Sequence, residues 1–177
     1  MSNSLNDCLM SVDGTDFRIP QQGPAIPGNL FSSHKFKGKC ALRYEIGIDI
    51  VNGNMVWIEG PYAAGKYPDV NIFCLALAHW LDPFERVEAD DGYIGEAPHK
   101  IKCPGCAANP TENLAMQNRV RSRHETLNGR LKNWEILKQV YRHDISEHGD
   151  VVRAIAVITQ LGVENGEPLF EVDYSDL

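Results

Sequence analysis

The chain has 177 residues, 43% apolar and 23% charged, the balance of one globular domain rather than of a disordered or fibrous chain. No run approaches the ~18–20 apolar residues of a membrane span, and the N-terminal MSNSLNDC lacks the basic and then apolar pattern of a signal peptide, so neither a membrane nor a secreted location is expected. Five cysteines, an odd number, do not read as a disulfide framework and point to a reducing compartment. A net charge of −7 argues at first sight against a nucleic-acid binder, because affinity for phosphate is dominated by Lys and Arg.

That charge is unevenly spread. Glu164, Glu167, Glu171, Asp173 and Asp176 leave the last fourteen residues with no basic partner, and only −2 belongs to the rest. The expected division is a core over residues 1–163 and an acidic C-terminal tail over 164–177. His34, Lys35, Lys37, Lys39 and Arg43 form a basic stretch, which taken alone reads as a solvated face.

In chain order, Cys8–Val12 reads as a short strand ending at Asp13. Ala41–Val51 and Asn54–Glu59 alternate as two strands joined by the Asn52-Gly53 turn, a strong hairpin signal. Asp69 is placed to cap a helix through Ile72, Leu75, Leu77, Trp80 and Leu81, stopped at Asp82-Pro83 because the residue before proline leaves the helical region. Phe84–Ala89 reads as a fourth strand. After the Pro/Gly-rich stretch 98–110, a long helix is expected from Thr111 to about Lys138 and another over Glu147–Leu161. The order β-β-β-α-β-α-α predicts an α/β domain with a mixed sheet flanked by helices, the hairpin antiparallel and the crossover strand parallel.

At about 100° per residue, Arg121, Glu125, Asn128 and Lys132 share one face of the long helix, while Met116, Val120, Leu127, Leu131 and Trp134 form an apolar stripe elsewhere. Spacing alone allows a solvent-facing salt-bridge ladder. Asp13 and Asp90, however, each follow an apolar strand and precede a Gly-containing loop, and ligands of open α/β sheets gather at strand ends. Three converging carboxylates repel, and a hard divalent cation, Mg2+ or Mn2+, removes that conflict. Two such ions can activate a nucleophile and stabilise the leaving oxygen of a phosphoryl displacement, with Arg121 and Lys132 on the phosphate.

These residues resemble the catalytic core of a Harbinger-like DDE transposase. Ser11-Val12-Asp13-Gly14-Thr15 is similar to the first Asp block and Ala89-Asp90-Asp91-Gly92-Tyr93 to the second. Arg121-Ser122-Arg123-His124-Glu125, followed by Asn128-Gly129-Arg130-Leu131-Lys132, is similar to the Glu block, and Gly60-Pro61 through Pro68-Asp69-Val70-Asn71-Ile72-Phe73 to the segment between the third strand and the first helix, where an Asp is usual. Thirty-four residues separate Asp90 from Glu125, a spacing usual for the group. The resemblance implies a ribonuclease H-like α/β fold and a DNA endonuclease or strand-transfer activity of transposable elements. It makes Asp13, Asp90 and Glu125 the catalytic and metal-binding triad for Mg2+ or Mn2+, with Arg121, Lys132, Lys35, Lys37 and Lys39 as phosphate or DNA contacts. DNA is the implied partner, the nucleus the implied location and a homodimer an expected assembly. Only twelve residues precede Asp13, so the DNA-binding region of such transposases is expected to be absent and its role supplied by a separate DNA-binding protein. The alternative is a domesticated, catalytically silent interaction module.

Other motifs carry less. Cys103-Pro-Gly-Cys106 has the spacing of half a zinc site, with His99 four residues before it, but lacks a neighbouring fourth ligand and is expected to be a turn with two free thiols. Gly60–Gly65 lacks the ending of a phosphate loop, and His79, His143 and His148 lack a nucleophile at sensible spacing while Ser11 and Ser122 lack a base, so acyl transfer is not expected. Trp57, Trp80 and Trp134 are expected to be buried or half-buried anchors.

Overall fold

In a computed structural model, which describes residues 8–106 and 110–169, five strands form one mixed sheet. The strands are β1 (Cys8–Arg18), β2 (Ala41–Asp49), β3 (Met55–Ala63), β4 (Arg86–Ala89) and β5 (Ile101–Lys102), in the order β3-β2-β1-β4-β5. β1, β2 and β3 pair antiparallel, whereas β4 runs parallel to β1 and β5 parallel to β4. The helices are α1 (Asp69–Leu75), α2 (Pro110–Leu131), α3 (Glu135–Lys138) and α4 (His148–Glu164).

Strand alternation sorts the core into two layers. Phe17, Leu42, Tyr44, Ile46 and Ile48 face Leu127 and Leu131 of α2 and Val152, Ile155 and Ala156 of α4. On the opposite face Val12, Val87 and Ala89 pack against Phe73, Leu77, Tyr93 and Ile101. The expected mixed α/β sheet with flanking helices is therefore present, the hairpin turning at Gly53, whose positive φ of 72° suits a residue without a side chain.

Several boundaries differ from expectation, each for a local reason. β1 does not stop at Asp13: β2 backs it continuously from Met10↔Asp49 to Arg18↔Ala41, so Asp13 is mid-strand. What ends there is the pairing with β4, whose last rung is Val12↔Ala89. Asp69 is the first residue of α1 rather than its cap, since Pro68 precedes it and no side chain caps that end. α1 also stops at Leu75, and a tighter 3-10 turn over Leu77–His79 carries Leu77 into the core and leaves Trp80 79% exposed. The expected long helix to Lys138 breaks after Leu131. Trp134 adopts an extended backbone and is exposed, which lets Leu137 and Tyr141 reach the core. β5 escaped sequence reading because two residues between Pro98 and Pro104 carry no alternation. At the C-terminus the chain past Glu164 packs on the body as far as the buried Leu169, with Arg130 donating to the carbonyls of Glu167 and Pro168. The rest of the expected acidic tail, residues 170–177, lies outside the described residues.

A candidate cleft for phosphate chemistry

Asp13 and Asp90 come together because β1 and β4 are parallel neighbours. Each is the residue after the last rung, so two residues far apart in sequence lie side by side where β4 leaves the sheet. Asp90 is held in place by its own loop, its carboxylate accepting from the Gly92 amide at 2.8 Å. Asp13 falls between Ser11 and Thr15 on the face of β1 that looks towards α2.

The third wall is α2, and buried neighbours of Glu125 set its rotation. His124 is buried with Nε2 3.1 Å from Ser11 Oγ on β1. Arg123 is buried too and donates to the carbonyl of Ile50. With Leu127 and Leu131 also in the core, Arg121, Glu125 and Asn128 are left to face outward over the sheet. The side chains of Met116 and Val120, expected in the apolar stripe, lie outside the described residues.

The result is a cleft of about 570 Å3 whose walls include Asp13, Asp90, Glu125, Lys35, Arg121 and Lys132. Of the basic stretch, only Lys35 reaches it, donating to the Gly14 carbonyl. Lys37 and Lys39 are exposed and do not line the cleft. Arg43 is buried on the other face of the sheet and serves the fold: its Nε and Nη2 donate to Asp16 at 2.7 and 3.0 Å, and Nε lies 3.3 Å from Asp69. Lys132 is half-buried with Nζ 5.6 Å from the Phe17 ring centroid. Burial lowers its pKa, and Lys35 adds to that.

Burial, more than mutual repulsion, sets the electrostatics of the carboxylates here. Burial pushes Asp13 up to about 6; Lys35 opposes this, while Asp90 and Asp69 push the same way. Sequence reading gave Asp69 no role in the site. Its carboxylate nevertheless presses so closely on β1 that a Cβ on Gly14 would fall 1.9 Å from Asp69 Oδ1. Burial raises its pKa, against the pull of Arg43 and Lys35. Asp16 behaves oppositely: burial works against ionisation, but Arg43 and a 2.5 Å hydrogen bond from Ser33 hold its carboxyl below the usual range. The signal for Asp69 lay in its place at the start of a helix after a Gly/Pro-rich turn; its approach to Gly14 depends on packing across the sheet.

Among the described residues, no three His, Cys, Asp or Glu side chains stand close enough to hold one metal ion between them. Asp13 and Asp90 are the adjacent pair and Glu125 lines the same cleft. The donor set is entirely carboxylate oxygen, the chemistry of hard divalent cations, which are commonly held by one or two carboxylates together with water and substrate phosphate. The residues present therefore fit such an ion in an open site. Cys103 and Cys106 bracket a 3-10 turn, with Pro104 lining the cleft. No described helix is long and apolar enough to cross a membrane. Against protein-family models, curated proteins and solved structures, the chain finds no match.

Proposed function

We propose that this chain is the catalytic core of a divalent-metal-dependent DNA nuclease of the DDE transposase type, built on a ribonuclease H-like fold. The observation that carries the reading is the shared cleft, in which Asp13, Asp90 and Glu125 meet Lys35, Arg121 and Lys132. The sheet order, with a three-stranded antiparallel meander followed by parallel β4 and β5, supports the fold assignment.

Asp13 and Asp90, the adjacent pair, would hold the cation, and Glu125, which lines the same cleft but does not close a three-carboxylate cluster with them, would add its oxygen as third ligand directly or through water. When bound, it supplies an activated nucleophile and stabilises the leaving oxygen of a phosphodiester. The protein's own residues solve a different problem. A phosphodiester approaching three carboxylates is repelled, and Lys35 and Arg121 provide compensating positive charge on the same walls. Arg121 offers a planar fork suited to two phosphate oxygens, while Lys35, tied to the Gly14 carbonyl beside Asp13, offers a point charge next to the reacting group. Lys132 lines the same cleft, with Asp13 among the charges that act on it.

Cleavage of supercoiled plasmid by the purified chain with Mg2+ or Mn2+ tests this. The wild type is expected to nick DNA and Glu125→Gln to lose at least about 100-fold in rate. Undiminished cleavage by Glu125→Gln would remove Glu125 from the machinery. No cleavage with either metal at low salt would favour a silent interaction module.

A further inference from the structure

The Cys103-Pro-Gly-Cys106 segment borders the cleft, which Pro104 lines, and the chemistry proposed above gives its two thiols no role. It forms a single 3-10 turn closed by the Cys106 amide donating to the Cys103 carbonyl at 3.0 Å. The turn brings the two sulfurs to 3.5 Å, with the Cys103 thiol directed at Cys106 Sγ. A disulfide requires about 2.05 Å, a closure within reach of side-chain rotation once the backbone turn exists. That turn is already anchored: the Gly105 amide donates to Asp91 Oδ1 at 2.7 Å, and a Cβ at Gly105 would lie 2.9 Å from Ile94 Cδ1.

We propose that Cys103 and Cys106 form a redox-active dithiol site that closes to an intramolecular disulfide by exchange with a small-molecule disulfide of the glutathione type. The two sulfurs have different access. Cys106 is exposed and Cys103 fully buried, so an incoming disulfide reaches Cys106 first. The Cys106 thiolate attacks one sulfur of the R–S–S–R molecule, forming a mixed disulfide and releasing one RS−. Cys103 then loses its proton and attacks Cys106 Sγ, releasing the second RS−. The protein gives up two electrons and two protons, and the small disulfide becomes two thiols. Burial, reinforced by the hydrogen bond to Cys106, pushes the Cys103 thiol up to about 12, consistent with its acting second. Zinc capture by the same two thiolates is the competing chemistry of a Cys-X-X-Cys pair, and the test below reads it directly. Closure would tie together the two ends of the turn that holds Asp91, the neighbour of Asp90.

The test uses the full chain in glutathione buffers of increasing oxidised fraction, quenched in acid, alkylated under denaturing conditions and digested with trypsin. Cleavage after Lys102 and Arg119 places both cysteines in one peptide. That peptide is expected to lose both alkyl groups and two mass units, with Cys8, Cys40 and Cys74 still alkylated. Cys103→Ser is expected to accumulate glutathione on Cys106, and Cys106→Ser to leave Cys103 unmodified. A stable glutathione adduct on wild-type Cys106, or a bridge to any other cysteine, overturns the proposal. So does one zinc per reduced chain retained through gel filtration and lost in Cys106→Ser. None of these readouts depends on nuclease activity.

Discussion

His124 Nε2 lies 3.1 Å from Ser11 Oγ, both groups are buried, and this contact joins the helix that carries Glu125 to the strand that carries Asp13. Neighbouring residues in sequence thus divide the work: Ser11 and His124 fix the separation of the two elements, and the carboxylates beside them are left to face the cleft.

Burial pushes His124 down to about 3. Its folded pKa is thus below its unfolded value near 6.5, so its neutral form contributes stability that is complete above about pH 6.5 and is lost as pH falls towards 3, by up to about 1.4 kcal/mol per pH unit. His124→Gln, which cannot titrate, should show a shallower loss over that window. Urea denaturation of both proteins between pH 7 and 4 measures the difference, and parallel curves would contradict the burial of a neutral imidazole.

Glu45 carries the opposite sign. It is fully buried on β2, accepts a 3.1 Å hydrogen bond from the Trp57 indole and is pushed by burial up to about 8, with Trp57 and Tyr93 partly opposing. A folded pKa above the unfolded one means that stability is complete below about pH 4.5 and is lost as pH rises through 8. Glu45→Gln, which mimics the protonated acid, should therefore equal the wild type near pH 4.5 and exceed it increasingly up to pH 8, by roughly 1 kcal/mol or more per unit. Thermal or urea melts across that range decide it; a variant less stable than the wild type at pH 8 refutes the neutral carboxyl.

Gly14 and Asp69 should behave as a coupled pair. Adding a methyl group at Gly14 places it 1.9 Å from Asp69 Oδ1 and forces that carboxylate away from Arg43. Gly14→Ala is expected to destabilise by about 1–3 kcal/mol. Adding Asp69→Ala should recover part of the loss, since it removes the obstructing group, with a coupling energy of about 0.5–3 kcal/mol in a double-mutant cycle. Simple additivity would show that the two side-chain positions do not meet.

The basic stretch should divide functionally in DNA binding. Lys35 lines the cleft and Lys39 does not. Lys35→Ala is expected to reduce the slope of log K against log salt by about 1, while Lys39→Ala leaves it unchanged within error. Fluorescence anisotropy with a labelled duplex over a range of salt concentrations reads this directly; equal effects from the two lysines would place the contact surface elsewhere.

Period and punctuation made much of the architecture legible in the chain. The alternation of Ala41–Val51, the Asn52-Gly53 turn and the helical spacing of Leu127 and Leu131 are local properties, set by which side chains can be buried together within one element, and they predicted the hairpin, the mixed sheet and the outward face of Glu125. Strand and helix ends were less legible. β1 continues past Asp13 only because β2 lies beside it, and the long helix breaks after Leu131 because Tyr141 must reach the end of β1, where its amide donates to the Arg18 carbonyl at 2.9 Å.

By itself, then, the sequence determined which side chains could face one way on each element, since that follows from backbone period alone. Only the tertiary structure decided which faces meet. The parallel rung Val12↔Ala89 puts Asp13 beside Asp90, and the His124–Ser11 contact brings α2 over them. Packing across the sheet recruits Asp69 through the space left by Gly14 and consigns Arg43, one of five residues in a basic run, to a buried ion pair with Asp16. Those outcomes depend on distances between residues remote in sequence, where burial cost and hydrogen bonding, not local pattern, determine whether a charge serves the fold or faces the cleft.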